Sequence, residues 1–261
     1  MEIIYYKVIC YFFIYISLGM LFFLSFVDIL KTGSGFHKLI TLMCVICNVC
    51  AIFITKKFIN TSFGLEAYEV LILSLTLMSI WFIFYVEKAS PKLSKLLVYL
   101  LSCFSVLTGI VVLITFKNYF KNYYFYSSSY LLVSTVYFSN VIFSMILGHY
   151  YLVVPKLSEK PLLVLHRLLW FLLGIKILFF IFTIFHFNIS LKVASMFDMI
   201  MISMRVMWGF FAIFVMSIIS YRLSKMRSIQ SATGVMYVST FFVLSSELIA
   251  IYYFVNKTWM L

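Results

Sequence analysis

The sequence predicts an all-α protein, a polytopic bundle of transmembrane helices, and two observations carry this prediction. Of the 261 residues, 65% are hydrophobic and only 11% are charged. A soluble domain carries about 25% charged residues, so the charges here are too few to cover a water-exposed surface. The apolar residues also form separate runs of about 20 residues, the length with which a helix crosses a bilayer. A soluble globule, a disordered chain and a disulfide scaffold are therefore excluded.

Eight apolar runs qualify as membrane-spanning helices. They cover roughly residues 8–30, 38–55, 66–86, 96–116, 130–153, 163–187, 198–221 and 232–254. The connections between them are about 8 to 14 residues long, which is too short for a folded domain outside the bilayer. The first run is too long for a signal peptide and lacks a small-residue cleavage site, so it is assigned as the first helix. We expect one integral membrane domain over residues 1–261, with no extramembrane domain.

The residues that break helices lie between the runs. The three prolines, Pro91, Pro155 and Pro161, all fall in connections, and the nine glycines form no GxxxG pair. Secondary transporters commonly interrupt helices near the bilayer midplane and contain internal repeats. The two halves of this chain share no repeated motif. We therefore expect unbroken helices, which count against that kind of carrier.

The basic residues predict the orientation, because cytoplasmic loops are enriched in Lys and Arg. Of the 20 Lys and Arg residues, eleven lie in or beside the loops after the odd-numbered runs, seven lie at the termini and in or beside the other loops, and two lie deep within runs. This asymmetry predicts that both termini lie outside a bacterial cytoplasmic membrane. The loop cations are expected to contact anionic lipid headgroups, and no nucleic-acid partner is expected.

Three charged residues lie deep inside the apolar runs, away from their ends: Lys176, Arg205 and Glu247. A charge at this position costs roughly 2.5–3.5 kcal/mol on insertion scales, so each is a candidate functional residue. Arg205 and Glu247 each lie seven residues from the outer end of their runs, about 10 Å deep, which predicts an ion pair. Lys176 lies slightly deeper. Two hypotheses stay open: an ion pair that fixes helix register, and an anion or proton site.

Helical periodicity predicts which sides of the last two runs face inward. On the seventh run, Arg205 shares its face with the small residues Gly209 and Ala212, which allow a neighbouring helix to approach closely. On the eighth run, four polar residues repeat at helical spacing and predict one inward polar stripe. The four are Thr233, Tyr237, Thr240 and Glu247.

Three histidines, His37, His149 and His166, lie near the predicted cytoplasmic face. A membrane haem b needs two histidines from different helices that face each other at one depth, and the depth condition is met. A lone histidine at the membrane interface more often bonds headgroups or backbone carbonyls, and the haem role is the alternative to that interpretation. Haem b is therefore one cofactor hypothesis, and no catalytic residue is predicted.

Two stretches resemble signatures of a group of bacterial multi-pass membrane proteins to which no activity is attached. One is Gly-His-Tyr-Tyr-Leu-Val-Val-Pro at residues 148–155, and the other is Ser-Ile-Gln-Ser-Ala-Thr-Gly-Val-Met-Tyr at residues 228–237. The resemblance covers mainly residues 140–250 and implies a membrane protein without implying an activity. The predicted depths of five polar residues suggest one cytoplasmic-side pocket for a haem propionate, a lipid headgroup or a quinone head. The five are His149, His166, Arg222, Gln230 and Thr233.

Two functional classes follow from these residues. The first is a haem- or quinone-associated subunit or accessory of a membrane electron-transfer system, which uses the histidines. The alternative is a small-solute carrier, for example for an anion, which uses Lys176, Arg205 and Glu247. A purely structural subunit that contacts other membrane subunits also stays open.

Overall fold

The computed structural model describes residues 2–59, 67–115, 124–154, 157–186 and 196–257, and every regular element in these ranges is a helix. The α-helices are α1 (Glu2–Phe23), α2 (Ile29–Thr32), α3 (Ser34–Ile54), α4 (Ala67–Tyr85), α5 (Pro91–Thr115), α6 (Tyr124–Val153), α7 (Lys160–His186), α8 (Met196–Met204), α9 (Ile213–Lys225) and α10 (Ile229–Lys257). Two π-helical segments, π1 (Thr55–Ile59) and π2 (Arg205–Ala212), continue α3 and join α8 to α9. The all-α prediction is confirmed.

Each predicted run overlaps a helix, and within the described residues six helical stretches are long and apolar enough to cross a membrane. The six stretches are Ser34–Lys57, Pro91–Ile114, Ser128–Val153, Lys160–Phe185, Met196–Lys225 and Ile229–Tyr253. Shorter apolar stretches occur at Phe12–Phe26 and Glu69–Tyr85, where the first and third runs were predicted. Large apolar side chains such as Phe84 and Phe185 are 75% exposed, as expected for surfaces in contact with lipid. The chain is a multi-pass membrane protein, and the count of eight spans stays a prediction.

The chain forms two compact units, Met1–Thr135 and Val136–Leu261. In the first unit, α1 packs against α3 and α5, and α4 packs against α3 and α5. The first helix ends at Phe23, earlier than the predicted residue 30. A 3-10 turn over Leu24–Phe26 follows, and Asp28 then accepts a hydrogen bond from the Leu30 N–H and begins the short helix α2. Gly33, at a φ of 82°, then turns the chain into α3, a conformation in which glycine has no side chain to clash.

The second unit contains the last part of α6, together with α7, α10 and the continuous rod formed by α8, π2 and α9. The rod packs against α7 through α9 and against α10 through both α9 and π2. The rod is continuous, and its middle segment is π-helical instead of α-helical, a feature that the sequence analysis did not predict. A π-helix holds an additional residue per turn without needing a proline, so a pattern read at 3.6 residues per turn does not reveal it.

Candidate functional site

Three buried charged side chains meet inside the second unit; we call Lys176, Arg205 and Glu247 the charge cluster. The Lys176 Nζ atom lies 2.7 Å from both carboxylate oxygens of Glu247. The Arg205 Nη1 atom donates to Oε1 of the same carboxylate at 2.9 Å. All three side chains are at most 2% exposed. The predicted Arg205–Glu247 ion pair is confirmed, and Lys176 joins it.

Each member of the charge cluster comes from a different element. Lys176 lies on α7, Arg205 is the first residue of π2, and Glu247 lies on α10. Ser246, the neighbour of Glu247, accepts a second hydrogen bond from Nη1 of Arg205. The guanidinium is therefore held against α10 by two adjacent residues of that helix.

Gly209 allows π2 and α10 to approach closely beside the charge cluster. A Cβ atom at this position would collide with the Ser246 side chain and would lie 3.2 Å from Nη1 of Arg205. The backbone carbonyl of Gly209 also accepts a hydrogen bond from the Tyr137 hydroxyl at 3.2 Å. The sequence-based prediction that Gly209 permits close packing on the Arg205 face is confirmed.

One aromatic ring lies near each of the two cations of the charge cluster. The Nζ atom of Lys176 lies 5.4 Å from the centroid of the Tyr137 ring, and the guanidinium carbon of Arg205 lies 5.0 Å from that of Phe210. The negative face of an aromatic ring attracts a cation, and the attraction increases where water is excluded. These rings stabilise positive charge without supplying a second carboxylate. Within the described contacts of the cluster, two cations therefore share one anion.

A second buried polar contact lies farther along the same helices. The Tyr253 hydroxyl donates to Oδ1 of Asp198 at 2.7 Å, and both residues are at most 5% exposed. Asp198 precedes Arg205 by seven residues and Tyr253 follows Glu247 by six, so this contact lies about 10 Å toward the predicted outer side. The sequence analysis did not identify this contact, because Asp198 is the first residue of an apolar run and not a charge deep within one.

His166 lies in a separate polar region of the second unit. Its Nδ1 atom donates to the Leu162 carbonyl at 2.7 Å, so its Nε2 atom is the acceptor for the Ser220 hydroxyl. Trp170, one turn later, donates to Ser217 at 2.8 Å. Beside His166 is a cavity of about 20 Å³, room for a single water molecule. Both ring nitrogens of His166 are thus engaged by protein atoms.

The other two candidate histidines also contact protein atoms. In the first unit, His37 is buried, with Nε2 3.1 Å from the Val27 carbonyl and Nδ1 3.3 Å from the Gly33 carbonyl. In the second unit, His149 is exposed and its Nδ1 lies 3.0 Å from the Tyr237 hydroxyl. The backbone-carbonyl contacts of His37 and His166 match the interpretation in which the histidines bond backbone carbonyls, whereas His149 contacts a side chain.

Of the five residues of the predicted cytoplasmic-side pocket, His166 is the one that lines the small cavity described above. Thr233 is buried and donates to the Ile229 carbonyl. His149, Arg222 and Gln230 are exposed. The predicted polar stripe on the last helix is also incomplete, because Tyr237 is 47% exposed while Thr233 and Glu247 are buried. The Tyr237 hydroxyl instead contacts Nδ1 of His149.

The two signature stretches pack against each other. A Cβ atom at Gly148 would collide with the Met236 side chain and would lie 3.1 Å from the Thr233 hydroxyl. The residue after Gly148 in the first stretch, His149, contacts Tyr237 of the second stretch. Both stretches therefore have a packing role at the contact of α6 with α10.

Ion pairs outside the spans fix connections near the predicted cytoplasmic face. Lys95 lies 3.2 Å from Asp28, and Arg227 lies 3.2 Å from Glu159. Partial burial raises the pKa of Asp28, but the Leu30 N–H and the Lys95 ammonium outweigh it and hold that pKa below its ordinary value. The pKa of Glu159 is lowered by a hydrogen bond from its own backbone N–H and by Arg227.

Comparisons with models of known protein families, with curated proteins and with solved structures find no match to this chain. The function is therefore inferred from the geometry of the charge cluster.

Proposed function

We propose that this protein is a carrier for a small anion in a bacterial cytoplasmic membrane, with both termini outside, and that Lys176 and Arg205 bind the anion. The observation that carries the proposal is the convergence of two cations on a single carboxylate deep in the second unit. The anion would be a small one, such as an inorganic ion or a short carboxylate.

The energetic cost of the charge cluster supports this proposal. Several kcal/mol are needed to bury each ion, and a well-packed apolar trio of similar volume is often as stable or more stable. Lys176 and Arg205, which meet at Glu247, are the hydrogen-bond donors that a bound anion would use.

The local geometry of the rod also supports a functional site. Arg205 begins the eight-residue π2 segment, which places it and Gly209 against Ser246. π-helical turns are rare, cost hydrogen-bond quality and are frequent at functional sites. Arg205 and Gly209, four residues apart, both face α10 in this segment, where Nη1 of Arg205 contacts Ser246 and Gly209 packs against it.

The electron-transfer hypothesis receives less support from the described residues. A haem iron takes an imidazole nitrogen as its axial ligand. Both ring nitrogens of His37 and of His166 already contact protein oxygens, and the His149 ring contacts Tyr237. Binding a haem would require these contacts to break. A purely structural subunit that contacts other membrane subunits is the alternative that the uptake measurements below test.

The proposal is tested by anion uptake into proteoliposomes that contain the purified protein. The probes are radiolabelled chloride, L-lactate, phosphate and sulfate, each measured against empty vesicles. We expect uptake of at least one of them, reduced by about tenfold or more in Lys176→Gln and Arg205→Gln, since each variant removes one partner of a buried ion pair.

Lys225→Gln is the matched control, because it removes the same charge from an exposed position at the end of α9. It should keep the wild-type rate. Uptake of all four anions at the rate of empty vesicles, by a protein that is monodisperse and helical, would overturn the proposal. An absorption spectrum of the same preparation, expressed with haem available, tests the alternative, which requires a Soret band.

A further inference from the structure

We infer that Glu247 is a built-in competitor of the transported anion, and that the anion binds Lys176 and Arg205 together with a proton that Glu247 takes up. The protein would then move an anion and a proton in the same direction. This inference rests on the proposed carrier function and adds its driving ion.

The contacts of Glu247 carry the first step. Its Oε1 atom accepts from both Lys176 and Arg205, and its Oε2 atom accepts from Lys176. The carboxylate thus accepts hydrogen bonds from the Lys176 ammonium and from the Nη1 side of the Arg205 guanidinium, and both of these groups face α10. An anion that takes these donors must displace at least one of the two carboxylate oxygens. Glu247 and the anion are therefore alternative ligands of the same two cations.

Charge repulsion carries the second step. Two anionic groups that share one set of donors a few ångströms apart, away from water, are not both stable in the ionised form, and one of them takes a proton. A carboxylic acid needs no cation, so Glu247 can release Lys176 and Arg205 once it is protonated. The bound anion then replaces its negative charge.

The proton transfer balances without an additional reactant. A proton from water forms an O–H bond on a Glu247 oxygen as the anion binds. When the anion leaves on the other side, that O–H bond breaks, the proton returns to water there, and the carboxylate again contacts Lys176 and Arg205. One anion and one proton cross together, and no electron is transferred.

Among the described residues, Glu247 is the proton acceptor that contacts both cations. From α7 it faces Lys176, from π2 it faces Arg205, and from α6 the Tyr137 ring lies against Lys176. The Asp198–Tyr253 contact on α8 and α10 lies about 10 Å farther out. His166 is ten residues before Lys176 on α7, about 15 Å away along the helix.

The test uses wild-type proteoliposomes that contain the pH dye pyranine, loaded with whichever of the four probe anions is transported. We expect an inward proton gradient to accelerate anion uptake, and the lumen to acidify by about one proton per anion. Anion uptake without acidification, and with no response to the gradient, would overturn the inference and leave the carrier function standing. No uptake of any probe anion would overturn both.

Glu247→Gln sharpens the test, because an amide keeps the shape and a hydrogen-bond acceptor but neither takes nor releases a proton. In this variant, exchange of labelled for unlabelled anion should continue, whereas gradient-driven accumulation and lumen acidification should fall by about tenfold or more. Accumulation at the wild-type level would overturn the inference.

Two variants serve as controls. Glu247→Asp keeps a titratable carboxyl group and should keep acidification, even where shortening the side chain slows uptake. Glu159→Gln removes a carboxylate that lies outside the cluster and should behave as wild type. If Glu247→Gln does not fold, the wild-type proton-to-anion ratio decides the question on its own.

Discussion

Both units contain a π-helical segment with a cation that pairs with a carboxylate, yet the two sites differ. In the first unit, Lys56 of π1 lies 2.8 Å from Glu69, with the lysine 31% exposed and the glutamate 1% exposed. In the second unit, all three members of the charge cluster are buried in the interior of long helices. A pair of one partly exposed lysine and one buried carboxylate is typical of a helix end, where the lysine ammonium reaches water. A buried cluster with two cations per carboxylate suits a binding site.

The largest expected difference between the units is in the cost of losing the carboxylate. Glu247→Leu leaves two cations buried without it and should lower the free energy of unfolding by about 3–5 kcal/mol. Glu69→Leu should cost less, about 1–2 kcal/mol, since Lys56 can turn toward water. Denaturant titration of both variants in the same detergent measures the two values. Equal costs would remove the contrast between the sites.

A glycine in each unit gives the next comparison. Gly209→Ala drives a methyl group into Ser246 beside Arg205 and should cost about 1–3 kcal/mol, with a loss of anion uptake. Gly109→Ala in the first unit meets only Leu18, at an ordinary 3.7 Å, and should be neutral or slightly stabilising. Thermal unfolding and uptake of the two variants should separate clearly. A fully active, stable Gly209→Ala protein would contradict the close approach at π2.

The buried histidines of the two units should respond alike, because both contact protein oxygens. His37→Ala and His166→Ala are each expected to lower the free energy of unfolding by about 1–3 kcal/mol, the cost of leaving a buried polar partner unsatisfied. The purified wild-type protein should show no Soret band. A Soret band that disappears in either variant would instead restore the haem hypothesis. Absorption spectra and denaturant titration make both measurements on one preparation.

The smallest effect is expected at the loop ion pairs, one in each unit. The pKa values of Asp28 and Glu159 are lowered, so each pair stabilises the folded protein fully above the ordinary carboxyl pKa. That contribution is lost as the pH falls below this value and through the lowered one. Exposed pairs are worth about 0–1 kcal/mol, so Asp28→Asn and Glu159→Gln should each shift stability at neutral pH by no more than that. Melting temperatures measured between acidic and neutral pH should converge with wild type in acid.

Much of the fold was predictable from the sequence, because lipid allows few solutions. A bilayer supplies no hydrogen bonds, so apolar runs of spanning length must form helices. Seven predicted runs therefore overlap helices whose ends lie within a few residues of the prediction, as at α7 and α10. The first helix ends earlier than predicted, and Asp28 then begins a new helix through a local hydrogen bond that hydropathy does not register.

The candidate site was predictable only in part. Equal depth predicted the Arg205–Glu247 pair, since each residue advances a helix by about 1.5 Å. The place of Lys176 at the same carboxylate was not predicted, because it depends on how α7 is rotated against α10. Likewise, equal depth suggested one pocket for His149, His166, Arg222, Gln230 and Thr233. Helix rotation instead turns some of these side chains outward and others inward.

By itself, the sequence determined the class of protein, the helical segments and the shortlist of charged residues. Burying a charge or an unpaired peptide group in lipid costs free energy, so long apolar runs must form helices and the few charges inside them stand out in the sequence. Only the tertiary structure decided that Glu247 serves two cations, that π2 holds Arg205 against α10, and that the histidine rings contact protein oxygens. Those features depend on how each helix is rotated about its axis and on the π-helical geometry of π2. Neither is encoded in the spacing of apolar residues, because many rotations bury the same amount of apolar surface.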